Sequence, residues 1–99
     1  MAPQPYNPDW LVALATAQHA DKPWLAEAFA RCTTVVKGTE FIIHFVDPTD
    51  ANKPGAEYQF DACVWLVDPA EGNLLVDVLK DRRVGSVEFY DRLFGRGED

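Results

Sequence analysis

The feature that most constrains this chain is a change of hydrophobic period at residue 34. Before that point apolar residues recur every three or four positions, the spacing of one helical face. After it, β-branched and aromatic residues gather in short extended runs. Helices followed by strands that are linked by short turns are expected to form an α+β two-layer sandwich, with an αα-hairpin packed on an antiparallel β-meander of three to five strands and a short C-terminal helix.

The boundaries follow from local chemistry. Asn7 is a good N-cap, Pro8 suits the first helical position, and Asp9 complements the helix dipole; Trp10, Leu11, Leu14 and Ala17 then mark one face as far as about His19. His19 is a cation suited to a helix C-terminus. A second start at Asp21, with Pro23 in its first turn, leads into the stripe Trp24, Leu25, Ala28, Phe29 and Cys32, ending near residues 31–34. Both segments open on a similar Pro-Trp-Leu pattern. An αα-hairpin joined at Ala20 and Asp21 accounts for it, because each helix needs a similar start and a similar apolar stripe. Residues 1–7, with Pro3 and Pro5, read as a flexible arm, residues 8–95 as a single domain, and residues 96–99 as a loose tail after Gly95.

Strands are expected over residues 39–46, 58–67 and 74–79, and residues 35–38 read either as a short extra strand or as the last turn of the second helix with Gly38 as its C-cap, the strand being preferred. Residues 47–55 form a loop dense in turn formers and residues 68–72 a tight hairpin connection, both implying antiparallel neighbours. Lys80-Asp81-Arg82-Arg83 reads as a solvated turn, Val84 and Gly85 as a last short strand, and Ser86 as the cap of a C-terminal helix carrying Val87, Tyr90, Leu93 and Phe94.

If Val67 pairs with Asn73, then Tyr58, Phe60, Ala62, Val64 and Leu66 share a core face with Leu74, Val76 and Val78. A register shifted by one drives Asp77 into that core without a partner, at a cost of several kcal/mol. The first register leaves Trp65, Val67, Leu75 and Leu79 beside Asp61 and Asp77 on the outer face. Either the C-terminal helix covers this face, or aromatic and aliphatic side chains ringed by acids make a candidate interface, for self-association or for another protein.

Chemical motifs are sparse. The lone serine, Ser86, has no Gly-x-Ser-x-Gly elbow, and the six glycines form no phosphate cradle. No catalytic set and no cofactor site is expected. Cys32 and Cys63 lack metal or disulfide spacing and read as buried free thiols. His44 joins Asp61 and Asp77 only if its strand turns it toward the outer face, where the three could attract a divalent metal or move a proton. A second candidate is a small-molecule pocket between the helices and the sheet, lined by Trp10, Trp24, Phe29 and Tyr58, with His44 and Asp61 as its polar groups.

Charge narrows the partners. Sixteen acidic against nine basic residues give a net charge of −7, which repels nucleic acid and anionic membrane surfaces and favours a basic protein. No apolar run approaches the roughly 20 residues of a spanning helix, and the N-terminus lacks the features of a signal peptide. The expectation is a cytoplasmic, non-catalytic protein-interaction module, one form of which is a small acidic immunity or antitoxin-like protein that plugs a basic toxin. The alternative is a ligand-binding or enzymatic domain built on the helix–sheet pocket.

Overall fold

In the computed structural model, which describes residues 2–94, the Asn7 Oδ1 accepts the Asp9 N–H at 3.0 Å and the Pro8 carbonyl accepts from Leu11 and Val12. Helix α1 therefore spans Asp9–Gln18, with Pro8 at its cap rather than inside its first turn. Pro23 opens α2, Pro23–Ala30, where its missing N–H costs nothing because a first-turn N–H has no helical partner.

The chain order is β1 (Gln4–Pro5), α1, α2, β2 (Thr34–Val35), β3 (Lys37–Gly38), β4 (Ile42–His44), β5 (Phe60–Asp68), β6 (Gly72–Leu79), β7 (Val84–Phe89) and α3 (Tyr90–Phe94). A five-stranded antiparallel sheet runs β3-β4-β7-β6-β5, and β1 and β2 form a separate two-stranded ladder. The fold is α+β, with α1 and α2 on one face of an antiparallel sheet. None of the described helices is long and apolar enough to cross a membrane.

Val67 pairs with Asn73, as the hydrophobic pattern requires. Val64, Leu66, Leu74, Val76, Val78, Val84, Val87 and Phe89 all face the helices and are buried against Leu11, Ala15, Leu25, Ala28 and Phe29. Gly72 turns the hairpin at φ +81°, a conformation open to glycine at little steric cost.

Tyr58, Phe60 and Ala62, expected on the same core face, leave it where the register shifts between Phe60 and Ala62: the last two are exposed and Tyr58 is buried with Val46 and Leu79 instead. Four further expectations change. Residues 84–89 are one strand, not a strand end followed by a helix cap, and Ser86 lies in its middle, 1% exposed. The reason is a register shift: Asp77 pairs with Ser86 but Val78 pairs with Val84, leaving Gly85 as an extra residue. Val84 and Val87 thus both reach the core although three positions apart, a spacing that looks helical in sequence. The C-terminal helix shrinks to residues 90–94, and the proposed tail at 96–99 lies outside the described residues.

The expected strand at residues 39–46 contracts to Ile42–His44, and its neighbours are β3 and β7, not β5. The long connection into β5 crosses the sheet instead of closing a hairpin. Within the expected arm, Gln4 and Pro5 pair with Val35 and Thr34, and the Tyr6 N–H donates to the Thr33 carbonyl at 2.9 Å. Proline cannot donate, yet its carbonyl accepts and its side chain suits an edge. Finally, the turn at residues 80–83 is not merely solvated. Arg82, at φ +70°, stacks its guanidinium over the Trp24 ring at 4.4 Å, while Arg83 reaches Asp81 and Glu57, both at 2.7 Å.

Candidate functional site

Strand pairing alone assembles the outer face into rows. One row runs Lys37, His44, Ser86, Asp77 and Cys63 across all five strands, and the next runs Ile42, Glu88, Leu75 and Trp65. Ile43, on the opposite parity of β4, packs into the helix-side core. His44 and Asp77 therefore do share the outer face.

Asp77 organises its row. Its Oδ2 accepts the Tyr58 hydroxyl at 2.9 Å and lies 3.3 Å from the Ser86 Oγ; its Oδ1 is 3.6 Å from the Cys63 Sγ. Tyr58 and Ser86 are themselves 2.9 Å apart, which closes a triangle of two hydroxyls on one carboxylate. A carboxylate that receives hydroxyl hydrogens satisfies buried groups that would otherwise cost 1–3 kcal/mol each, on the order of typical desolvation penalties. Tyr58 is pinned flat over Gly85, whose missing Cβ makes the approach possible: a Cβ there would meet the Tyr58 ring at 2.7 Å. The ring, with Val46, Leu79 and Ala51, forms a second small core on this side of the sheet.

Two candidate residues accordingly leave the proposed sites. Leu79, expected on an open interface, is 1% exposed because the connection before β5 folds over it. Asp61 sits exposed at the β5 irregularity between Phe60 and Ala62, apart from the polar triangle. His44, Asp61 and Asp77 do not gather, and among the described residues no group of three or more His, Cys, Asp or Glu side chains is placed to hold a metal ion.

His44 lies edge-on to Tyr58 with ring centroids 6.2 Å apart, and its buried Nδ1 has no hydrogen-bond partner. Burial, then the Lys37 charge, lowers its pKa below the ordinary histidine value, outweighing Asp77 and Asp47. Burial foremost, then Asp77, pushes the Cys63 thiol up, so this exposed residue, expected to be buried, keeps its proton at neutral pH. Cys32 is buried as expected, and burial raises its thiol to about 12. The Ser86 hydroxyl is spent inside the triangle. The row holds a segment in place and presents no activated nucleophile.

The six residues expected to line a pocket between helices and sheet are not brought together around one cavity. Phe29 fills that space at 0% exposure, Trp10 stacks on Phe89, Trp24 lies under Arg82, and Tyr58 and His44 are on the other face. A cavity of about 240 Å³ opens instead between the end of α2 and the β4–β7 side, lined by residues such as Arg31, Thr34, Phe45 and Arg83, and it contains none of the six.

What remains open is the β5 side of the outer face. Trp65 is 48% exposed and Val67 53%, with Leu75 half-buried beside them. Trp65 is held at its ring by Tyr90, edge-on at 5.2 Å, and at its carbonyl by the His19 Nε2–H at 2.8 Å. Gln18 clamps the adjacent edge residue, its Nε2 donating to the Val67 carbonyl at 2.7 Å and its Oε1 accepting the Val67 N–H at 2.9 Å. Nothing in the helical pattern announced Gln18 in this role; its position in the last turn of α1, beside His19, was the only signal. No family model, curated protein or solved structure matches this chain.

Proposed function

We propose that this chain is a non-catalytic protein-interaction module that engages a partner through the outer face of β5 and β6, with Trp65 as the anchor and Val67 and Leu75 beside it. The observation that carries this reading is the half-exposed Trp65, its ring set against Tyr90 and its backbone carbonyl held by His19 before any partner arrives. An anchor already fixed loses little conformational entropy on binding. Covering its exposed half removes roughly 100 Å² from water and contributes about 2–3 kcal/mol. Acids surround it, so a basic protein surface suits it better than a nucleic acid or an anionic membrane. A cytoplasmic setting, where Cys32 and Cys63 remain thiols, is part of the proposal, as is the more specific form of a small acidic protein that occupies a basic one.

The test is Trp65→Lys, compared with the natural chain by circular dichroism, thermal melting and light scattering on a size-exclusion column over a hundredfold range of concentration. The variant should stay folded, with a melting temperature within a few degrees, because an anchor for a partner is dispensable to its own core. A dimer seen only for the natural chain makes the partner a second copy; monomers in both make it another protein. A grossly unfolded variant would mean that Trp65 is core, and the proposal fails.

A further inference from the structure

β5 is the edge of the sheet, nine residues long, and its outward backbone is closed at both ends and open in the middle. Gln18 takes both backbone groups of Val67, and His19 takes the Trp65 carbonyl. At the other end the Asn52 Oδ1 accepts the Phe60 N–H at 2.8 Å. In an antiparallel pair alternate residues turn their backbone groups away from the partner strand. With Val67 turned outward, Trp65 and Cys63 are too, which turns the Trp65 N–H and the Cys63 N–H and C=O away from β6, and no hydrogen bond holds them there among the described residues. An exposed edge of this length is ordinarily blunted by charge, proline or cover. Here the cover is placed to spare a window.

From this we infer that the window from Asp61 to Trp65 receives a short extended segment of a cationic protein, which adds to β5 as a sixth strand. The inference rests on the interaction reading above and gives its partner a chemical class. Backbone bonding at Cys63 and Trp65 supplies register, and Trp65 flanks the seat. Charge selects the occupant. Asp61 is exposed and makes no ion pair among the described residues, Glu88 likewise makes none two strands inward, and β5 carries no Lys or Arg. A second copy would set Asp61 near its own equivalent on a chain of net charge −7, whereas alternating lysines would meet Asp61 with opposite charge and lie in the negative field to which Glu88 adds.

The experiment uses the full chain and three probe peptides: acetyl-KVKVKVK-amide, its glutamate counterpart EVEVEVE, and KVKPKVK, whose central proline cannot donate a backbone hydrogen bond. Amide hydrogen exchange and ¹H–¹⁵N shifts are followed residue by residue. The lysine peptide should bind saturably and slow exchange at Cys63 and Trp65 by about tenfold or more. The other two peptides, and the lysine peptide with Asp61→Lys, should bind about tenfold more weakly. Binding that shifts Leu75 and Glu88 while leaving exchange at Cys63 and Trp65 unchanged overturns strand addition and leaves the face reading standing. No saturation up to about 1 mM overturns it as well, and so does protection of the two amides by self-association without peptide. The Trp65→Lys experiment judges the face reading independently of all three.

Discussion

His44 concentrates the electrostatics of the outer face in one side chain. Its Nδ1 is buried without a partner, and burial followed by the Lys37 charge holds its pKa below the ordinary 6.5. The folded chain therefore resists a proton that the unfolded chain accepts, so the contribution to stability is present above about pH 6.5 and is lost as the pH falls through that value toward the folded pKa. The urea midpoint of the natural chain should decline from pH 6.5 to about pH 5, before most carboxylates titrate. His44→Phe should keep the edge-on contact with Tyr58, remove the orphaned nitrogen, gain about 1 kcal/mol at pH 7 and lose the decline in that window. An identical acid limb in the variant would show that the burial of His44 is not its source.

At the level of elements, the helical stripes, the β5–β6 register and the core they build were legible because each rests on a local period and a single apolar face. Val64, Leu66, Leu74, Val76 and Val78 needed only parity to be placed. What escaped was set by irregularities that period cannot encode. The extra residue Gly85 gave Val84 and Val87 a helical spacing inside a strand, and it hid both β7 and the buried role of Ser86. The pairing of β4 with β7 joins residues more than forty positions apart, so the cover that Tyr58 lays over Leu79 was out of reach as well. Part of the candidate site was readable, namely Trp65, Val67 and Leu75. The Gln18 clamp was not, because a glutamine in a helical turn carries no signature of the strand it completes. The clamp predicts its own test. Gln18→Ala should release the Val67 N–H and speed its exchange by about tenfold or more. The core is untouched, so loss of two partly exposed hydrogen bonds should lower the melting temperature by only a few degrees. Unchanged exchange at Val67 would mean that the amide is protected by something other than Gln18.

Across the whole molecule, the net charge of −7 acts on folding and on binding with opposite sign. The five ion pairs among the described residues all lie at the surface, with side chains from 30% to 73% exposed. Each such pair contributes little, at most about 1 kcal/mol, and salt weakens it. Repulsion among the excess carboxylates is weakened by the same salt, and seven uncompensated charges on a chain of 99 residues outweigh five exposed pairs. Raising the ionic strength from about 0.01 M to about 0.15 M shortens the screening length from about 30 Å to about 8 Å. The melting temperature should therefore rise by a few degrees over that range. The lysine peptide depends on attraction to the same field, so its affinity should fall, by about tenfold, over the same steps. Calorimetric melting and peptide titration in matched buffers measure both. A melting temperature that drops with salt would place the stabilising electrostatics in the ion pairs, and a salt-insensitive affinity would remove charge as the selector of the partner.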